Sequence, residues 1–211
     1  MSLPPLKRAA LVVVDMQRAF LDPTSTMAAA GFDVTPLKAA LPGVLRLVDL
    51  ARSADVPVIY TRFVYHRGLA DFNLREGQNA QTKALRLPIH YLEEGSEGIE
   101  LAPELVPAAG EFIIDKARAS AFYGTRLEPL LGGLGVRNLV ICGVTTNICV
   151  ESTARDSGQR DYGTWVVRDA VAEFSPERND HALNTITWSF GEVITSDDVA
   201  RAWSASADDA G

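Results

Sequence analysis

Cysteine, histidine and aromatic side chains are all scarce in this chain of 211 residues, and no apolar run is long. The two cysteines, Cys142 and Cys149, exclude a disulfide framework, and no CxxC pair is present to bind zinc. His66, His90 and His181 are scattered, without the His-x-His or HExxH spacing of a metal site, so neither a structural metal nor a cofactor is expected. The longest apolar runs, such as Ala9 to Val14 and Leu139 to Cys142, fall far short of the roughly 20 residues that cross a bilayer. Basic residues are in the minority, 20 Lys+Arg against 27 Asp+Glu, and the net charge of -7 argues against nucleic acid or an anionic membrane as partner. The opening Met1-Ser2-Leu3-Pro4-Pro5-Leu6-Lys7 lacks the basic stretch and apolar core of an export signal, so a cytoplasmic location is expected. The remainder is of ordinary globular composition, and the length suits one domain over 1–211 with a core that needs no staple.

The apolar pattern alternates between two periods. Ala9–Val14, Pro57–Thr61, Glu111–Ile114, Asn138–Cys142, Gly163–Val167 and Gly191–Ile194 read as strands, several of them continuous β-branched runs suited to burial on both faces. Between them, Leu37–Ala54 repeats apolar residues at three- and four-residue steps, with Pro36 fitting a first helical turn. Thr125–Leu134, Asn147–Gln159, Glu177–Phe190 and Asp197–Trp203 read as further helices, and Glu151 and Arg155 are spaced to pair on the third of these five. Strands and helices alternating in this way imply βαβ units and an α/β fold, a six-stranded, mostly parallel sheet between helical layers. Leu21–Pro36 and Val64–Ala109 break the rhythm and read as binding loops or lids, and the small, acidic Ser204–Gly211 as a frayed tail.

Ligands of an open parallel sheet bind beyond the carboxyl ends of its strands. Asp15 ends the first strand, Lys116 the third, and Cys149 follows the fourth within Gly143-Val144-Thr145-Thr146-Asn147-Ile148-Cys149. A carboxylate, an amine and a thiol thus occupy equivalent positions on three strands. Thr145 or Thr146 is placed to cap the helix carrying Cys149, and its N-terminal partial charge, with Lys116 nearby, is expected to lower the thiol pKa and speed alkylation in mild acid. Asp15 is then a general base and acid for the nucleophile. Cys142, inside a strand, reads as a small buried hydrophobe. Arg118, with Arg62 and Arg75, is a candidate for bidentate bonds to a substrate carboxylate or ureido oxygen. Phe20, Phe122, Tyr123 and Trp188 are candidate pocket walls, though core packing is the default for an aromatic ring. Gln17 follows Asp15 closely enough to be a substrate contact, and Asn147 to hold the cysteine loop.

The run from Gly143 to Asp156, GVTTNICVESTARD, resembles the nucleophile segment of the isochorismatase-like cysteine hydrolases. Val12-Val13-Val14-Asp15-Met16-Gln17-Arg18-Ala19-Phe20 is similar to their first-strand motif, and Lys116 matches their lysine segment. The resemblance implies a six-stranded parallel sheet, an Asp15–Lys116–Cys149 triad, and a cis peptide at Val144-Thr145. It further implies an oxyanion hole from the N–H groups of Thr145 and Cys149, with Val144 beside the substrate. Tyr60-Thr61-Arg62-Phe63-Val64-Tyr65-His66 lacks the Asp-x-His pattern with which nicotinamidases of the family hold a metal. The retained cysteine favours acyl-enzyme chemistry over vinyl-ether cleavage. Lys116 to Thr125, with Arg160-Asp161-Tyr162, looks most like the carbamoyl and ureido amidohydrolases, which act on ureidoacrylate, N-carbamoylsarcosine and biuret. The expectation is therefore a cofactor-independent amidohydrolase for a small amide or ureido compound, a homo-oligomer of two or four subunits by the same resemblance. The alternatives are nicotinamidase-like or vinyl-ether hydrolysis, or a silent binding protein on the same scaffold.

Overall fold

The structure, a computed structural model, describes residues 3–5, 7–29, 31–68, 70, 71 and 89–205. Six strands form one sheet: β1 Ala9–Val14, β2 Val58–Phe63, β3 Phe112–Lys116, β4 Asn138–Val144, β5 Gly163–Ala172 and β6 Glu192–Ile194. Their order is β3-β2-β1-β4-β5-β6, and every adjacent pair runs parallel. All six expected strands are present, and the parallelism is complete among them. Every residue of β1 is buried, which requires cover on both faces of the sheet and explains its unbroken run of Ala, Leu and Val.

Apart from the single helical turns Arg18–Leu21 and Thr26–Ala29, the helices are α1 Leu41–Ser53, α2 Leu127–Gly133, α3 Glu151–Gly158, α4 Pro176–Ser189 and α5 Ser196–Ala205. α1 buries Val44, Leu47, Val48 and Ala51, the stripe anticipated from its periodicity. Its first turns differ from expectation: Thr35–Ala40 is a 3₁₀ helix leading into α1 rather than part of it. α3 is likewise preceded by a separate turn, Thr146–Val150, wound as a π-helix. The expected Glu151–Arg155 pair forms, with Nε and an NH2 group 3.0 and 2.6 Å from Glu151 Oε1.

The chain leaves β1 to add β2 and β3 on one side, then returns to place β4 on the other side of β1. The gap between the carboxyl ends of β1 and β4 is thus the topological switch point. Gly143 brings these ends together. A Cβ on it would lie 2.1 Å from the Val14 carbonyl oxygen, and its φ of +112° suits only glycine. Part of the second irregular region is also ordered against this end. Leu101 bridges antiparallel to Gln17, and Glu93 parallel to Tyr65. Residues 69 and 72–88 of the second region, Arg75 among them, lie outside the described residues.

Candidate active site

The three residues picked out at strand ends converge. Asp15 leaves β1 with φ +49°, a left-handed conformation that Asp adopts more readily than most side chains and that turns it away from the strand direction. Lys116, the last residue of β3, reaches across the end of β2. Its Nζ donates to Asp15 Oδ2 at 2.6 Å and to Cys149 Sγ at 3.5 Å, and also to the Arg118 carbonyl at 3.1 Å. The Phe63 ring lies 4.4 Å from the same nitrogen. Both side chains of the Lys116–Asp15 ion pair are fully buried, and Cys149 is only 6% exposed.

Thr61, which sequence reasoning passed over inside a strand, completes the setting of Asp15. Its hydroxyl donates to Asp15 Oδ1 at 2.6 Å, and the Asp15 N–H meets the same hydroxyl at 3.2 Å. One carboxylate oxygen thus faces Thr61 and the other Lys116, which fixes the rotamer. The signal for this residue was slight: a polar side chain at the otherwise apolar end of β2.

The peptide between Val144 and Thr145 is cis. Neither threonine caps the following turn through its side chain. Instead Glu173, just past β5 and 5% exposed, accepts the Asn147 N–H at 3.2 Å through Oε2 and the Phe174 N–H at 2.9 Å through Oε1. This carboxylate replaces the expected threonine cap and offsets the positive end of the turn. Further along, the Thr153 hydroxyl donates to the Cys149 carbonyl at 2.7 Å and accepts the Ala121 N–H at 3.0 Å. The segment after Lys116 is thereby fastened to α3, with Ser120 on Asp156, and with Arg160 on Asp156 and over Phe122.

Burial reverses the expected acidity of the nucleophile. It pushes the Cys149 thiol well above its ordinary value, against the pull of Lys116, and nearby Asp15 acts in the same direction as burial. Lys116 is also raised: burial opposes its charge, but Asp15 and Cys149 together prevail. The resting site is therefore an ion pair beside a neutral thiol rather than a preformed thiolate. Between pH 6 and 8, a thiolate absorbance difference near 240 nm between the wild type and Cys149→Ala should be absent. A titration step below pH 7 would contradict this.

Several expected substrate contacts are otherwise employed. Gln17 is fully buried and bonded within the protein, donating to the Phe63 and Ile99 carbonyls at 3.1 and 3.2 Å and accepting the Phe63 N–H at 2.6 Å. It ties the loop after β1 to β2 and to the 97–99 turn, with both amide N–H donors engaged. Arg62 is held bidentate by Asp115 at 2.7 and 2.9 Å. Phe20 packs in the core, Trp188 stands 89% exposed on α4, and Tyr123 is 67% exposed. Val144 is buried directly before the cis bond. Arg118 differs from Arg62: its guanidinium donates to the Asp71 and Ala117 carbonyls at 3.0 and 2.6 Å. No carboxylate among the described residues pairs with it. It acts electrostatically on Tyr65, which in turn feels Cys149. A cavity of about 360 Å³, lined in part by His66, Asp71, Glu94 and Asp115, reaches Lys116. No cluster of three or more His, Cys, Asp or Glu placed to hold a metal occurs among the described residues.

Comparison with known proteins sets this arrangement in a family. Residues 9–198 match the isochorismatase domain. The chain belongs to the isochorismatase family. This family member is 34% identical over 207 residues to the ureidoacrylate amidohydrolase RutB of Azorhizobium caulinodans, covering 94% of this chain and 91% of that one. It is similar in structure to a cysteine hydrolase of Pseudomonas syringae pv. phaseolicola, with a TM-score of 0.81, 29% identity, and 97% and 98% of the two chains covered. The N-carbamoylsarcosine amidase of Thermoplasma acidophilum matches with a TM-score of 0.69 and 27% identity over 90% of this chain and 97% of its own.

Proposed function

We propose that this isochorismatase-family hydrolase cleaves the C–N bond of a small carbamoyl or ureido compound through a Cys149 thioester. The enzyme acts on C–N bonds other than peptide bonds, as its ureidoacrylate amidohydrolase relative does. The observation that carries the mechanism is the single ammonium of Lys116 bridging Asp15 Oδ2 and Cys149 Sγ at the switch point.

In this reading Asp15 takes the thiol proton as Sγ attacks the substrate carbonyl, so that charge never rests on an isolated sulfur in the buried site. Lys116 stays protonated and stabilises both anions in turn. The backbone N–H groups of Thr145 and Cys149 receive the oxyanion. Collapse of the intermediate breaks the C–N bond, and Asp15 returns its proton to the departing nitrogen. Water then attacks the thioester, Asp15 accepting one of its protons, and the thiol is regenerated. Arg118 supplies a cation for a substrate carboxylate. Assembly into a homo-oligomer, which would cover exposed Trp188, and a cytoplasmic location belong to the same proposal.

Ammonia release from ureidoacrylate, N-carbamoylsarcosine and nicotinamide tests the substrate class. Turnover of a ureido or carbamoyl compound with nicotinamide untouched is the expected result, and preference for nicotinamide would refute it. Glu173 acts as a positioning residue, holding the turn that presents Cys149. Glu173→Gln should lower kcat about tenfold with little change in KM or melting temperature, because a displacement below 1 Å at a nucleophile is costly. Steady-state kinetics alongside a melting curve would show it, and an unchanged kcat would remove Glu173 from the machinery.

A further inference from the structure

Three acceptors use the hydrogens of the Lys116 ammonium. Asp15 Oδ2 at 2.6 Å, the Arg118 carbonyl at 3.1 Å and Cys149 Sγ at 3.5 Å each take one N–H, which is all that an ammonium carries. A further neighbour is the face of the Phe63 ring, its centroid 4.4 Å from Nζ. Phe63 and Lys116 are register partners on β2 and β3, so both side chains leave the sheet on one face. The ring is held independently of the lysine. The Gln17 amide engages both backbone groups of Phe63, accepting its N–H at 2.6 Å and donating to its carbonyl at 3.1 Å. The Val64 N–H, next along the chain, donates to the Lys116 carbonyl at 2.9 Å. Tyr65 meets the Phe63 ring edge-on, with centroids 5.2 Å apart and planes at 70°. The loop after β1, β2 and β3 thus jointly set where this ring sits.

We propose that Phe63 is a positioning residue, whose ring face holds the Lys116 ammonium charged and in place while the proton passes from Cys149 to Asp15. This rests on the amidohydrolase reading above and deepens it. The contacts of the ammonium divide into two kinds. Asp15 and Cys149 change charge as the proton moves, the carboxylate becoming a neutral acid and the thiol an anion. The Arg118 carbonyl and the Phe63 ring do not change, so they are what the ammonium keeps when its counter-ion is neutralised. Of these two, the ring attracts the cation without drawing off an N–H. The negative face of an aromatic ring draws a cation most strongly where water is excluded, and the Lys116 side chain is fully buried. An aliphatic side chain would fill the same space without that field, and an added carbonyl would compete with the sulfur for a hydrogen. Burial opposes the charge on Lys116, so a group that favours the ammonium over the neutral amine also helps it to retain its proton beside the sulfur.

The test replaces Phe63 by mono-, di- and trifluorophenylalanine in turn, a series that nearly keeps the shape of the ring while draining its negative face. Steady-state kinetics with ureidoacrylate and melting curves are recorded for each protein. The expected result is a stepwise fall in kcat, reaching on the order of tenfold with three fluorines, while KM stays within about twofold. Melting curves are also taken in an Asp15→Asn, Lys116→Met background, which lacks the ammonium. Fluorination should lower the melting temperature only where Lys116 is present, since only there does the ring lose a cation. A kcat that is flat across the series, or the same melting shift in both backgrounds, would overturn the proposal and leave Phe63 a packing residue. A wild type inert toward ureidoacrylate would overturn the substrate reading instead, and the rate at which iodoacetamide alkylates Cys149 then decides the role of Phe63. A stepwise fall in that rate along the fluorinated series upholds the role, and a constant rate overturns it.

Discussion

Cys149→Ser is expected to abolish turnover, with a loss in kcat on the order of 10⁶-fold, the scale at which removing the nucleophile disables a catalytic unit. Serine keeps the shape and nearly the volume of cysteine, so the melting temperature should stay within about 2 °C of the wild type. The reason for so steep a loss lies in the proton arrangement. Burial already pushes the thiol above its ordinary value, and a hydroxyl is intrinsically far less acidic than a thiol. An Asp15–Lys116 pair matched to a thiol is therefore asked to deprotonate a much weaker acid. Single-turnover kinetics with a ureido substrate, followed by mass spectrometry of the quenched enzyme, would decide it. Wild type should show the mass of an acyl adduct at Cys149 and the serine variant none. Retention of more than a hundredth of the activity would mean that the nucleophile is elsewhere.

Lys116→Met is expected to cost both activity and stability, and the two effects can be separated. Lys116 and Asp15 form an ion pair with both side chains fully buried. Removing one member leaves the other charge uncompensated in a dry site, which costs about 3–5 kcal/mol. For a chain of this size that lowers the melting temperature by on the order of 10 °C. Asp15→Asn should destabilise by a similar route, stranding the ammonium, although Asn tolerates the left-handed backbone at this position. Combining Asp15→Asn with Lys116→Met removes both charges. Stability should then recover most of the way to wild type, since a buried pair replaced by neutral groups is often close to neutral overall. Activity should not recover, because neither proton transfer nor anion stabilisation is restored. Melting curves and kcat for the three variants provide the measurement. Additive stability losses in the double variant would show that the two side chains do not act as a coupled pair.

The sign of the pH dependence follows from Lys116. Its pKa in the folded protein is raised above the ordinary lysine value, burial opposing and Asp15 with Cys149 prevailing. The stability it contributes is thus fully present below the ordinary lysine range and is lost only as pH rises through the raised folded value. The wild type should accordingly lose melting temperature in strong alkali more steeply than the Asp15→Asn, Lys116→Met double variant.

Much of this was legible in the chain itself. Unbroken β-branched runs separated by helical periodicity specify a covered parallel sheet, because parallel strands are joined through crossover helices and those helices cover both faces. The same alternation marked the carboxyl end of the sheet as the working end, and Asp15, Lys116 and Cys149 could be singled out there because each lies at or shortly beyond the carboxyl end of its strand. The specific run GVTTNICVESTARD then pointed to a family whose domain spans residues 9–198.

What local sequence could not supply was the partner of each polar group. Gln17 and Arg62 looked available in the sequence, but Phe63, Ile99 and Asp115 already satisfy them. Thr61 and Glu173 looked ordinary, yet they orient the carboxylate and hold the cysteine turn. The acidity of Cys149 changed direction for the same reason. A helix entrance and a nearby lysine are visible along the chain, whereas the desolvation that outweighs them is a property of everything packed around the sulfur. Residue types and spacing determined the strands, their end and the three reactive groups. Burial and hydrogen-bond partnership, set by contacts between segments dozens of residues apart, were decided by the folded structure alone.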